Sequence, residues 1–242
     1  MEKDSALTQT ILGLSNQHII EINDGAQQVS DEHHANHGAH YDVLAPLQAL
    51  IAHANQDGFS LRLASSFRNF DRQLSIFNRK ASGELAILDE QNQRLLPTEV
   101  SEDELLKAIL HFSALPGASR HHWGSDFDFY DPSLLPKNTS LSLTPWEYQQ
   151  DGYFYPLTCW LDKHAINYGF YRPYDTYRQG VAVEPWHFSY LPIAKQFQRA
   201  LSVDTLKTQL LASDILLKDK IVDNISTIYQ QYVINVAEFP NV

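Results

Sequence analysis

The stretch SRHHWGSDFDFYD, Ser119 to Asp131, sets two histidines side by side, follows them with a Trp-Gly turn, and then alternates acids with aromatics. Alternation with a period of two is the signature of a strand. Asp126 and Asp128 are two apart, so they share one face of it. Charge of this density on a short strand is costly to bury unless it is used. The reading of the chain therefore turns on what these side chains are for.

Upstream, YDVLAPLQALIAHANQDG carries Val43, Leu44, Leu47, Leu50 and Ile51 at helical spacing, with Gly58 placed to end the helix. FSLRLAS then alternates Phe59, Leu61 and Leu63 with Ser60 and Arg62 and predicts a strand that runs into a helix, which puts Ser66 and Arg68 at the junction. SEDELLKAILHFSALPG opens with Ser101 and Glu104 as a capping box and predicts a helix up to Pro116-Gly117. Downstream, TPWE starts a helical turn and PLTCWLDKHAINYG is a helix ended by Gly169. YRQGVAVEPWHFSYLP reads as a turn and a second short strand, since Pro185 bars a helix interior. From Leu201 on, two short helices and the strand-like YVINVAEF form a small structural appendage, residues 201–242, packed on the same domain. The fold class is α+β: a small, mostly antiparallel sheet flanked by helices, with a C-terminal helical and strand appendage.

A chain of 242 residues, 43% of them hydrophobic, suffices for one large domain with a buried core. Eighteen basic against 29 acidic residues, a net charge of −11, argue against nucleic acid or an anionic membrane surface as the main partner. The single cysteine, Cys159, excludes an intramolecular disulfide framework and a cysteine-rich zinc module, and is read as a small apolar core residue. The first 20 residues hold no signal-peptide core, and no apolar run reaches the length of a membrane span. The expected location is the cytoplasm, or the periplasm if a leader has been removed.

His121 precedes the glycine turn, Asp128 lies on the strand after it, and His187 lies on the second strand behind Glu184-Pro185-Trp186. Two imidazoles and a carboxylate suit zinc and leave a fourth tetrahedral position open, the mark of a catalytic rather than a structural site. Glu184, three residues before a ligand, is the candidate general base and belongs at a bend before the strand. His122 is expected to point away from the metal, and the cluster His33, His34, His37 and His40 to be a solvated loop.

SRHHWGSDFD resembles the S-x-H-x-x-G-x-A-x-D motif, and EPWH the E-x-W-H motif, of the VanY-type zinc D,D-carboxypeptidases, in the wider family shared with lysostaphin and the D-Ala-D-Ala metallopeptidases. Ser119, His121, Gly124, Asp128, Glu184, Trp186 and His187 match, and in SSFRN Ser66 and Arg68 match the S-G-Y-R-S segment. The resemblance spans residues 41–192, within a peptidase domain of residues 1–200, and leaves out the tail, 201–242. It implies the hedgehog-like zinc peptidase fold and one zinc ion per chain on His121, Asp128 and His187, with Glu184 as base. Arg68 would hold the terminal carboxylate of the substrate or polarise the scissile carbonyl, with Ser119 and Ser66 nearby, Trp186 as a wall and Gln73 within reach. Two positions depart from the pattern. Phe67 replaces tyrosine, and Asp126 stands where alanine is usual: a solvated acid by default, otherwise an acceptor behind a ligand or a receptor for a substrate ammonium group. The implied partners are peptidoglycan-derived peptides. The expected reaction is removal of the terminal D-alanine from the tetrapeptide, an L,D-carboxypeptidase step in wall recycling. D,D-carboxypeptidase or D,D-dipeptidase action on pentapeptide or D-Ala-D-Ala is the alternative, and an inactive zinc-stabilised binding module the second.

Overall fold

Helix α1 (Glu2–Ile11) leads to strand β1 (Ile19–Ile22), paired antiparallel with β2 (His37–His40), in a computed structural model that describes residues 2–22, 37–89 and 93–240. Helix α2 (Leu44–Gln56) buries Leu47, Leu50 and Ala54, a three-and-four spacing that lays one face on the core. Gly58, at φ +91°, ends it in the left-handed conformation that a side chain would resist. Strand β3 (Arg62–Ser65) follows, then α3 (Phe70–Ala81), whose N-terminus is capped by Asn69 accepting from the Arg72 backbone N–H. A small hairpin, β4 (Ile87–Leu88) with β5 (Arg94–Leu95), precedes α4 (Glu102–Phe112) and its Ser101–Glu104 capping box.

The chain then builds β6 (Asp126–Tyr130), the turn α5 (Pro145–Tyr148), helix α6 (Tyr155–His164), β7 (Phe170–Tyr171), β8 (His187–Tyr190) and helix α7 (Leu191–Ala200). Strands β3, β6, β8 and β7, in that spatial order, form an antiparallel sheet. Across β6 and β8, Asp126 faces Ser189, Phe127 faces Phe188 and Asp128 faces His187. The alternation thus sorts itself: Phe127, Phe129 and Phe188 point into the main core, each of the three worth about 1.5–3 kcal/mol when fully buried, while Asp126, Asp128, His187 and Ser189 share the other face. A bulge between Leu63 and Ser65 brings Ser65 opposite Asp128 and re-aims the end of β3 toward that polar face.

Four expectations need correction. Residues after Leu201 form α8 (Val203–Leu211), α9 (Lys218–Asp223), α10 (Ile225–Ile228) and a π-helical turn at Tyr229–Val233, so YVINVAEF forms no strand. Leu206, Leu210, Ile221, Ile225 and Ile228 of this tail belong to the main core, and Phe239 packs on Tyr171. Helix α4 stops at Phe112, since Ser113 is already extended, four residues ahead of Gly117. Cys159 is exposed, because Leu157, Trp160 and Leu161 take the inward face of α6. His37 and His40 lie on β2 rather than in a solvated loop, with His40 buried, whereas His33 and His34 lie outside the described residues.

Candidate metal centre

A 3-10 turn at Arg120–Trp123 carries His121 and ends at Gly124 in the left-handed conformation, φ +66°. A Cβ there would meet the His40 backbone nitrogen at 2.7 Å, so only glycine lets the turn dock on β2. The turn sets His121 against the neighbouring pair Asp128 and His187. Nε2 of His121 is 3.4 Å from Asp128 Oδ2, and Nδ1 of His187 is 3.1 Å from Asp128 Oδ1. All three side chains are buried, and their candidate ligand atoms lie within 4.8 Å of one another.

The outer partners determine which nitrogen each imidazole presents. His121 Nδ1 lies 2.9 Å from the Ser66 carbonyl oxygen, which only accepts, so Nδ1 carries the proton and Nε2 presents its lone pair. His187 Nε2 lies 3.0 Å from Asp126 Oδ1, so Nε2 donates and Nδ1 faces Asp128. Burial, with Arg68 and His187 nearby, holds the His121 imidazole well below its ordinary range and keeps it neutral. Burial also disfavours charge on His187, but the Asp126 and Asp128 carboxylates outweigh it and raise that ring to about 9. A divalent cation would compete with this proton for Nδ1. Asp128 Oδ1 is buried and lacks a hydrogen bond of good geometry. Two oriented nitrogens and an under-satisfied carboxylate, with their candidate ligand atoms within 4.8 Å of one another, are a donor set that fits zinc.

Asp126 is not solvated. It is fully buried, accepting from Arg120 Nε at 2.9 Å, from Ser125 Oγ at 2.7 Å and from His187 Nε2. Burial alone would raise its pKa, but Arg120 and His187 hold it at about 2. Arg120 also donates to Tyr171 Oη, Ser189 Oγ and Gln198 Oε1, with its guanidinium over the Trp123 ring. With its oxygens engaged from behind the ligand, Asp126 does not line the cavity and cannot receive a substrate ammonium group.

In front of the cluster is a cavity of about 350 Å³, lined among others by Arg68, Ser119, Glu184, Trp186 and Tyr174. Glu184 sits in the turn before β8, its carbonyl accepting from the His187 backbone N–H and its Oε2 lying 3.4 Å from His187 Nδ1. Burial lifts its carboxyl to about 7, with His187, Arg68 and Lys80 opposing and Asp128 adding to the rise. That places a proton acceptor within the neutral range beside the ligands. Arg68 is gripped by the double histidine: its backbone N–H donates to the His121 carbonyl at 3.2 Å, and its own carbonyl accepts from His122 Nδ1 at 2.6 Å. The His122 ring therefore points away from the cluster, its Nε2 accepting from the Gly117 N–H. Nη1 of Arg68 donates to Gln73 Oε1 at 3.0 Å, while Nε is buried without a hydrogen-bond partner.

Two expected contacts are not on the cavity wall. Ser66 Oγ accepts from the Gly38 backbone N–H and pairs with His37 Nδ1, so it ties β2 to the end of β3. Gln73 is buried and bridges Arg68 to the Ala114 carbonyl, acting on the guanidinium instead of reaching the cavity. Sequence reasoning missed Arg120, Tyr174 and Lys80. Arg120 lies inside the deciding stretch, but nothing in a period-two pattern says which neighbour will neutralise a buried acid.

A family model described as VanY, D-alanyl-D-alanine carboxypeptidase, matches residues 36–193. An uncharacterized protein of Haemophilus influenzae is 36% identical over 122 residues, which are 50% of this chain and 93% of that protein. Among solved structures, the LdcB LD-carboxypeptidase superposes with a TM-score of 0.50 at 18% identity, over 89% of this chain and 78% of that one. A vancomycin-resistance D,D-pentapeptidase VanY solved with Zn(II) gives 0.48 at 21% identity, over 79% and 92%. The LdcB likeness speaks for the fold, α+β with a small antiparallel sheet, and the family model for descent. Since that model takes in well over half of the chain, together with every residue around the cavity just described as metal-facing, the chain belongs to the VanY family of D-alanyl-D-alanine carboxypeptidases.

Proposed function

We propose that the protein is a zinc-dependent carboxypeptidase that releases the C-terminal D-alanine of peptidoglycan peptides. The observation that carries this is the placement of Arg68, which lines a cavity shared with Glu184 and the His121–Asp128–His187 cluster and whose buried Nε has no hydrogen-bond partner. A guanidinium fixed through its backbone and Gln73 is suited to take a terminal carboxylate through parallel hydrogen bonds. That fixes which peptide bond meets the cluster, one residue in from the end. His121, Asp128 and His187 would hold zinc, which supplies Lewis acidity toward the scissile carbonyl and toward water. Glu184 takes a proton from the attacking water as oxygen bonds to the carbonyl carbon, and gives it to the departing amine as the C–N bond breaks. Asp126 keeps His187 in the tautomer that presents Nδ1. Trp186, packed on Tyr148 with ring centroids 5.5 Å apart, walls the cavity.

The finer reading is an L,D-carboxypeptidase acting on the tetrapeptide in wall recycling. What supports it is room: the cavity of about 350 Å³ has Leu88, Phe112 and Val181 in its wall besides the ligand cluster, space and apolar lining that suit a long side chain rather than the single methyl group of a penultimate D-alanine. A residue with a long side chain ahead of the scissile bond fills that space. Tetrapeptide and pentapeptide stems offered at equal concentration should release D-alanine faster from the tetrapeptide. Faster release from the pentapeptide would assign D,D activity instead, and release from neither would leave a binding protein.

A further inference from the structure

With Asp126 engaged behind His187, the cavity has no spare acid for a substrate ammonium group: Asp128 and Glu184 are the acidic side chains that line it among the described residues, and both face the ligand cluster. What the wall offers is a second cation. Lys80, in the last turn of α3, reaches the cavity and donates from Nζ to Ser113 Oγ at 2.6 Å, with no ion pair among the described residues. Ser113 is placed for this by the early end of α4. Burial pulls the Lys80 ammonium below its ordinary range, Glu184 pulls it back, and Arg68 adds like-charge repulsion, so the two cations and Glu184 sense one another within the same cavity.

A half-buried ammonium with one neutral acceptor is short of counter-charge, and an anion placed against it gains a charge-assisted hydrogen bond. Arg68 is assigned to the terminal carboxylate. Lys80 therefore answers a second one, carried by the substrate side chain that enters the cavity whose wall Lys80 shares with Leu88, Phe112 and Ser113. We infer that Lys80 and Ser113 form a subsite for a side-chain carboxylate on the residue ahead of the scissile bond, so that the preferred substrate carries a diamino dicarboxylic acid there rather than lysine. This rests on the carboxypeptidase reading above and names the substrate class of that site. The side-chain ammonium group of such a residue would remain toward solvent.

The test uses two tetrapeptides identical except at that side chain, one with the free carboxylate and one with the isosteric carboxamide. In the zinc-loaded protein kcat/KM should favour the carboxylate at least about tenfold, the range of a hydrogen bond to a charged group. Lys80→Met should bring the two peptides to the same rate, and Lys80→Arg should restore the preference. Calorimetric binding of the same pair to the zinc-loaded Glu184→Gln variant, with Lys80 or with Met in its place, reads the preference without turnover. Hydrolysis without preference, or a preference that survives Lys80→Met, overturns the subsite. Preferential binding of the carboxylate with no hydrolysis by the wild-type protein would retain the subsite and retire the carboxypeptidase reading instead.

Discussion

Replacing Asp126 with alanine, the residue usual at this motif position, separates what this chain does with the acid from what the fold requires. The change removes the acceptor of His187 Nε2, 3.0 Å away, and the carboxylate partner of Arg120, 2.9 Å away, from a site with no exposure. Losing the outer partner of a ligating histidine typically costs about 10–100-fold in metal affinity. Stranding one member of a buried ion pair costs about 3–5 kcal/mol. Arg120 keeps its bonds to Tyr171, Ser189 and Gln198, so the lower end of that range, about 3 kcal/mol, is expected. Zinc competition against a chromophoric chelator reads the first quantity, and urea unfolding of the metal-free protein reads the second. The double variant Arg120→Leu, Asp126→Ala leaves no stranded charge and should recover much of the stability while binding zinc as weakly as the single variant. An Asp126→Ala protein with undiminished zinc affinity would refute the role assigned to the hydrogen bond that His187 Nε2 donates to Asp126.

Two further outcomes follow from the same geometry. Arg68→Lys should raise KM for D-alanine release at least about tenfold through the loss of paired hydrogen bonds, with little change in melting temperature; a fall like that of a core truncation would instead mark Arg68 as a structural ion. His18 is buried, with Nε2 donating to the His122 carbonyl and Nδ1 unpartnered, and burial lowers its pKa from 6.5 to about 4. The unfolded chain then takes up the proton first, so this stabilisation is complete above pH 6.5 and is lost as pH falls toward 4. Urea midpoints across that window should decline for the wild-type protein and less steeply for His18→Asn; equal slopes would reject the role of His18.

The ligand set was legible because its chemistry is local: two histidines and an acid around a glycine turn, and a glutamate three residues ahead of the last histidine. Their meeting depends on the β6–β8 register that sets Asp128 against His187, which no spacing within one strand encodes. Asp126 shows the limit most clearly. Its face could be read from the alternation, but burial of that face depends on Arg120 arriving from the preceding turn and Tyr171 from β7, contacts between residues 51 positions apart. Ser66 and Gln73 lie beside Arg68 in the chain, yet they are turned toward β2 and Ala114 because both helix and strand ends need their backbone and side-chain partners satisfied. The tail misled for another reason: Tyr232 and Val233 have strand-forming side chains, but packing of the neighbouring helices on the core, with Ile225 and Ile228 buried, overrides that preference.

The most direct measurement compares metal content and D-alanine release in the wild-type protein and Glu184→Gln. The account predicts one zinc ion per chain in both, release by the wild-type protein that chelation abolishes and zinc restores, and a rate about 10²–10⁴-fold lower in Glu184→Gln, the usual contribution of a positioned acid–base group. Undiminished release by Glu184→Gln, or by fully chelated wild-type protein, would contradict it.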